Sequence, residues 1–187
     1  MLVLLAVASA CAGSEENGQS TPDADESSVA ERRSEALTPL APGEVGALRA
    51  MLSGTKDTTY QGSTADGSVE FFGSCDDDVP LRVGFNVKDS DGNQVARFQG
   101  RTDRMLEPGQ TGSFPVETAT AWYKRMGLPS RMTFEGRGNI EISLHDARRG
   151  SRRMTGVLMA SGLEDSRGDL IDVEVEFDVG LSCGLEE

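Results

Sequence analysis

The chain has 187 residues, of which 31 are acidic and 18 basic, and its formal net charge is −13. A field of this sign repels phosphate, which argues against nucleic-acid binding and against wholesale attachment to an anionic membrane surface. Aromatic residues make up 5% of the chain and glycine occurs 22 times, a composition that favours a β-rich domain with many turns over a helical bundle.

The first ten residues are apolar and end in small side chains. A membrane-spanning helix needs about 20 residues, so this shorter run predicts the apolar core of a secretory signal peptide at residues 1–10. Ala8-Ser9-Ala10-Cys11 resembles the lipobox of bacterial lipoproteins. The resemblance implies cleavage before Cys11 and acyl chains such as palmitate on that cysteine. Since Ala12 is not Asp, it further implies an outer-membrane anchor, with the protein in the periplasm or at the cell surface. The alternative is an ordinary signal peptide, with Cys11 discarded or left free.

Residues 11–44 form an acidic segment that is poor in large apolar side chains. From residue 12 onward it contains eight acidic residues against two basic ones, Arg32 and Arg33. Because nothing in this composition offsets the entropy of ordering, we predict a disordered linker. It would hold a single folded domain, residues 45–187, away from the membrane.

Hydrophobic spacing predicts the elements of this domain in chain order. Short helices are predicted over residues 43–53 and 117–126, and strands over residues 58–61, 69–75, 81–88, 94–100, 132–144, 153–163 and 170–183, with a further strand before residue 116. The turn Asp89–Asn93 predicts a hairpin between the strands on either side of it. The last three strands predict an antiparallel meander, and the long strand over 132–144 is expected to bend at its glycines.

The last predicted strand has the clearest alternation in the chain. Its odd positions from Ile171 to Leu181 are apolar, its even positions are polar or glycine, and Cys183 continues the apolar series. Cys75 shares the parity of Val69 in an earlier strand. If Cys11 carries lipid, the remaining cysteines form a pair, so we predict a Cys75–Cys183 disulfide, worth about 4–5 kcal/mol in the chain-entropy model. The alternative is two buried free thiols.

Residues 81–116 resemble FxLYD-type and related immunoglobulin-like envelope domains. The resemblance lies in Phe85-Asn-Val-Lys-Asp89, the turn at Gly92, Leu106-Glu-Pro-Gly109 and Ser113-Phe114. It implies an immunoglobulin-like β-sandwich that serves for binding or as a spacer, without catalytic residues. The expected fold is therefore an all-β, mainly antiparallel sandwich with one or two short helices behind a disordered N-terminal tether.

Few residues indicate catalysis or a metal site. His145 is the single histidine, lies beside Asp146 without a G-x-S-x-G elbow, and is interpreted as a turn residue. Four acids are weak calcium candidates, although turn chemistry explains them without a metal. They are Asp76, Asp78, Asp89 and Asp91. We expect no cofactor.

Four arginines flank Gly150-Ser151 in one predicted hairpin turn: Arg148, Arg149, Arg152 and Arg153. They are candidate contacts for a partner or an anion, because guanidinium groups suit phosphate and carboxylate. The alternative is pairing with the acidic face of the last strand. Trp122 and Tyr123 could likewise form a stacking platform for a sugar, or simply pack on the domain.

These observations predict a non-catalytic lipoprotein of the bacterial cell envelope that acts as a binding or structural module. Its expected partner is another envelope protein or a polymer, and the membrane is reached through the acyl chains. Two alternatives stay open. One is a secreted or anchored glycan hydrolase that uses paired carboxylates, and the other is a calcium-dependent adhesion module.

Overall fold

The computed structural model describes residues 40–55, 57–74, 79–105, 111–124, 131–147 and 151–181, apart from the side chains of residues 74, 143–147, 151 and 152. All of them belong to one unit, Thr38–Glu187. Within them the chain forms nine strands and no helix: β1 Val45–Gly54, β2 Thr58–Gly62, β3 Val69–Ser74, β4 Arg82–Lys88, β5 Gln94–Arg101, β6 Thr111–Lys124, β7 Arg131–Ala147, β8 Ser151–Glu164 and β9 Leu170–Leu181.

The strands form one sheet in the order β2-β1-β9-β8-β7-β6-β5-β4-β3, and every neighbouring pair is antiparallel. The sheet curls until its two ends approach. The amide of Val69 donates to the carbonyl of Ser63 at 3.1 Å, and the amide of Thr64 donates to the carbonyl of Val45 at 3.2 Å. These bonds join the start of β3 to the β1–β2 hairpin, so the sheet is nearly closed and barrel-like.

The core fills the inside of this sheet. On β9 the odd positions from Ile171 to Leu181 are all buried, which confirms the alternation predicted for the last strand. Rings from opposite walls meet in the interior: the centroids of Phe85 and Phe177 are 5.4 Å apart, and those of Tyr60 and Phe98 are 5.9 Å apart. Side chains therefore occupy the interior, and the outer surface of the sheet is left for binding.

The predicted hairpin and meander are confirmed. β4 pairs with β5 across the Asp89–Asn93 turn, and β7, β8 and β9 are consecutive neighbours. The register of β7 against β8 shifts between Glu135 and Asn139, where the bend at glycines was expected. A Cβ atom at Gly138 would lie 2.2 Å from the carbonyl oxygen of Met159, so only glycine fits that close approach.

The helix predicted over residues 43–53 is wrong, because these residues belong mainly to β1. Leu48, Ala50 and Leu52 alternate into the core, and β1 pairs with β2 on one side and β9 on the other. The spacing that suggested a helix came from reading Ala47 and Met51 as core residues. Both lie on the outer side of the strand.

The helix predicted over residues 117–126 is also wrong, because β6 continues to Lys124. A bulge between Val116 and Ala119 moves the buried positions from even to odd numbers. In addition, Trp122 is buried on the outer side of the sheet, whereas its two neighbours in sequence, Ala121 and Tyr123, are buried on the inner side. Three consecutive buried residues obscure the period of a strand and imitate a helical face.

The all-β, antiparallel class is thus confirmed. Among the residues described above, no helical segment is long and apolar enough to cross a membrane.

Candidate functional site: a basic and aromatic face

The outer side of β3 to β7 carries most of the basic side chains of these strands. Alternation places every second residue outside, and the outward cations are Arg82, Lys88, Arg97, Arg101, Lys124, Arg131 and Arg137. Two outward aromatic residues, Phe72 on β3 and Trp122 on β6, lie among them. We call this outer surface of β3–β7 the basic face.

Phe72 organises the first half of the basic face. It pairs in register with Gly84 of β4, and a Cβ atom at Gly84 would lie 2.2 Å from the Phe72 ring, so the ring covers the glycine. The ζ carbon of Arg97 is 4.0 Å from the centre of this ring, and that of Arg82 is 5.5 Å away. Both distances are within the range of cation–π attraction.

Gln99 joins these two arginines. Its Oε1 accepts a hydrogen bond from Nη2 of Arg82 at 3.0 Å and another from Nη2 of Arg97 at 3.3 Å. A neutral amide oxygen therefore lies between two positive groups, at a position where a carboxylate would neutralise them. The donors of Arg82 and Arg97 converge on one point of the surface.

Trp122 and Arg131 form the second half of the basic face. Trp122 pairs in register with Arg97, so the two halves are adjacent on the sheet. The ζ carbon of Arg131 lies 4.3 Å from the Trp122 ring and covers it, leaving the residue 8% exposed. Tyr123 points to the opposite side and stacks on Phe134 in the core, with the centroids 5.8 Å apart. Trp122 and Tyr123 thus lie on opposite sides of the sheet and do not form one stacking platform.

The arginines of this cluster lack described ion-pair partners. Within the part of the chain that the structure describes, no carboxylate forms an ion pair with Arg82, Arg97 or Arg131. Burial lowers the pKa of the Arg97 guanidinium below its ordinary value, and the positive charges of Arg82 and Arg131 lower it further. These three side chains are therefore close enough to repel one another.

Two open clefts meet at Arg131. One, of about 730 Å³, lies toward the β8–β9 turn and is lined by Glu135, Glu164 and Asp165 among others. The other, of about 290 Å³, is lined by Asn93, Gln94, Lys124 and Arg131. Arg131 thus lies between an acidic cleft and a basic one, with its stacked position fixed by Trp122.

The opposite side of the sheet is acidic. The outward residues of β9 are Asp172, Glu174, Glu176 and Asp178, and on β1 the Nη1 atom of Arg49 lies 3.9 Å from Oε2 of Glu176. Positive charge therefore predominates on the basic face, although Oε2 of Glu70 lies there 3.3 Å from Nζ of Lys88, whereas the outward charges of β9 are all negative.

Of the four arginines that the sequence suggested as contacts for a partner or an anion, only Arg153 has a described side chain. Arg148 and Arg149 lie outside the described residues, and Arg152 lies on β8, in register with Leu181, without a described side chain. Arg153 is 8% exposed and forms a two-pronged ion pair with Asp178, its Nε donating to Oδ1 at 2.7 Å and its Nη2 to Oδ2. Arg153 therefore joins β8 to the acidic side of β9.

The calcium candidates Asp76 and Asp78 also lie outside the described residues. Asp89 caps its turn, since its Oδ1 accepts from the amides of Asp91 at 3.0 Å and Asn93 at 2.8 Å. These bonds lower the pKa of Asp89. Across the described ranges, no group of three or more histidine, cysteine or acidic side chains could hold a metal ion.

The cysteine predictions fall outside the same ranges. Cys11, Cys75 and Cys183 are not among the described residues, so the acylation and the disulfide stay predictions.

The comparisons with known proteins found no matching family model, no matching curated protein and no matching solved structure. The geometry of the basic face is therefore the basis of the proposed function. The sequence pattern did not predict Phe72, Arg82, Arg97 or Arg131 as site residues. The signal was present in the outward positions of the predicted strands, where arginine recurs, but the neighbours across strands were needed to bring these positions together.

Proposed function

We propose that this protein is a non-catalytic lipoprotein of the bacterial cell envelope whose β-domain binds a partner through the basic face. Cys11 would carry the acyl chains, residues 11–44 would span the distance to the membrane, and the sheet would present the binding surface. The proposal includes an immunoglobulin-like sandwich arrangement of the strands. This part of it is based on the resemblance at residues 81–116.

The observation that carries the proposal is the uncompensated charge on the basic face. Three guanidinium groups are stacked on, or next to, two aromatic rings, and none has a described carboxylate partner in a chain with a net charge of −13. Like charges held together destabilise the free protein, and an acidic partner would relieve that repulsion. Aromatic and arginine side chains are also the residues most often found at the centre of binding interfaces.

The carboxyl groups support a binding role over glycan hydrolysis. A glycosidase needs one carboxyl whose pKa is raised so that it can donate a proton. Among the described carboxyl groups with a shifted pKa, the shift is downward for each one: Asp66, Glu70, Asp89 and Asp165. Asp165, which lines the larger cleft, is held as an anion by hydrogen bonds within its own turn.

Crosslinking in cells tests this function. We expect the native lipidated protein to capture an envelope partner that an Arg97→Gln/Arg131→Gln variant does not capture. The matched control is Arg49→Gln/Arg104→Gln, which removes the same charge from exposed side chains away from the stacked pairs. Equal capture by all three proteins would contradict a binding role for the basic face.

A further inference from the structure

The arrangement of the arginines on the basic face indicates which class of ligand it binds. This inference rests on the binding function proposed above. Arg82 and Arg97 direct their Nη2 atoms at one oxygen, Oε1 of Gln99, from 3.0 and 3.3 Å. Arg131 is near enough for its charge to affect Arg97. Arg82 and Arg97 therefore converge on one point of the outer surface, and Arg131 lies beside them on the ring of Trp122, the residue paired with Arg97.

Stacking prepares these groups for an anion. A guanidinium that lies over a ring contacts it with its flat side, which leaves its in-plane N–H donors available. Arg97 lies over Phe72 and Arg131 over Trp122, with their ζ carbons 4.0 and 4.3 Å from the ring centres. Their side chains are ordered before a ligand arrives, so binding costs less conformational entropy.

The arrangement of donors distinguishes between oxyanions. A carboxylate has two coplanar oxygens and one charge, and a single guanidinium satisfies it by a bidentate pair. A phosphate inside a polymer has two free oxygens and one negative charge, but its oxygens are arranged tetrahedrally and the charge repeats along the chain. The donors of Arg82 and Arg97 approach one point from two strands, which suits a tetrahedral group, and Arg131 adds a positive charge beside them for the next phosphate.

The overall charge of the protein distinguishes between two kinds of ligand that carry phosphate groups, a membrane surface and a polymer. A flat anionic membrane would face the acidic flanks of the domain as well as the basic face, and a net charge of −13 disfavours that approach. The net charge also repels a phosphate polymer at long range, but charges beyond about 8 Å are screened at physiological salt, so a narrow polymer that contacts only the basic face meets its local positive charge. We propose that Arg82, Arg97 and Arg131 bind phosphate groups of a linear, phosphate-bearing polymer.

The test measures binding of fluorescently labelled inorganic polyphosphate to the full-length protein at physiological salt. We expect the Kd to rise about tenfold or more in Arg97→Gln/Arg131→Gln, since charge-assisted hydrogen bonds are lost. The Kd should stay unchanged in the Arg49→Gln/Arg104→Gln control. Arg82→Gln provides a second variant, because Arg82 is exposed and its loss leaves the core intact; a smaller rise in Kd is expected there.

Three outcomes would overturn the phosphate assignment. One is polyphosphate binding that is the same in all variants. Another is equal binding of polyglutamate of matched charge, which would indicate a general preference for anions. The third is tighter binding to phosphatidylglycerol vesicles than to polyphosphate, which would indicate a membrane surface. If polyphosphate fails to bind while the arginine variant still loses its crosslinked partner, the binding function stands and the phosphate assignment is wrong.

Discussion

At the scale of single residues, Asp165 shows how a buried carboxylate is kept charged. Its side chain is 4% exposed, and such burial alone would raise its pKa. Hydrogen bonds outweigh burial: Oδ1 accepts from the amides of Arg167 at 2.8 Å and Asp169 at 3.0 Å, and Oδ2 accepts from Nε of Arg167 at 3.3 Å. The net result is a lowered pKa, so this carboxylate organises the β8–β9 turn as an anion.

This lowered pKa predicts a pH-dependent contribution to stability. Because the pKa of Asp165 is lower in the folded protein, its contribution is fully present above the unfolded pKa of about 4 and is lost as the pH falls through the folded pKa. We expect Asp165→Asn to lower the melting temperature at pH 7, and we expect this difference to shrink as the pH falls below about 4. Thermal melts across this range check the prediction, with Asp91→Asn at an exposed turn position as the control. A difference that does not change with pH would contradict it.

At the scale of the strand, Arg153 and Asp178 connect β8 to β9 through an ion pair that is 10% and 20% exposed. Removing one partner of a buried pair leaves the other charge without compensation, which costs about 3–5 kcal/mol when burial is complete. The partial exposure of Asp178 reduces this cost. We expect Arg153→Met to lower the free energy of unfolding by about 2 kcal/mol.

A double-mutant cycle in urea isolates the pair. Arg153→Met and Asp178→Leu should each destabilise the protein, and the double variant should be more stable than the sum of the two losses implies. The midpoint of unfolding measures each effect. Strictly additive losses would show that the pair contributes no coupling, and that the two side chains act through other contacts.

The strands also show what sequence pattern can and cannot reveal. β9 alternates without interruption, so its inward face was predicted residue by residue. β6 alternates too, but its bulge after Val116 and the outward burial of Trp122 produced a helix-like pattern. Local periodicity cannot distinguish a residue that is buried in the core from one that is covered by an arginine of the next strand. The basic face was missed for the same reason, because Arg97 and Arg131 become neighbours only through the register of β5, β6 and β7.

At the scale of the whole molecule, the sheet order bears on the predicted Cys75–Cys183 disulfide. Five strands separate β3 from β9, and each neighbouring pair is antiparallel, so β3 and β9 run in the same direction. In the sequence, Cys75 follows β3 directly and Cys183 follows β9 by two residues. Both cysteines therefore follow strands of the same direction, and the disulfide stays a prediction.

We expect both cysteines to resist alkylation in the unfolded protein until a reductant is added. Intact mass before and after iodoacetamide treatment measures this directly. Cys75→Ser should then lower the free energy of unfolding by about 4 kcal/mol, because the cross-link no longer restricts the unfolded chain. Alkylation of both thiols without reductant would show that they are free.

The pairing of β1 with β9 also dictates an order of assembly. β3 to β9 pair by hydrogen bonds only as successive neighbours, so this meander can form by adding one hairpin after another. β1 and β2 belong to the N-terminal side of the domain, yet Val45 reaches its partner Val179 only when the last strand is present. The β1–β2 hairpin must therefore wait through the synthesis of the whole meander before it can dock. Loss of the final strand would leave both the hairpin and β8 with unpaired edges, and such edges recruit strands from other chains.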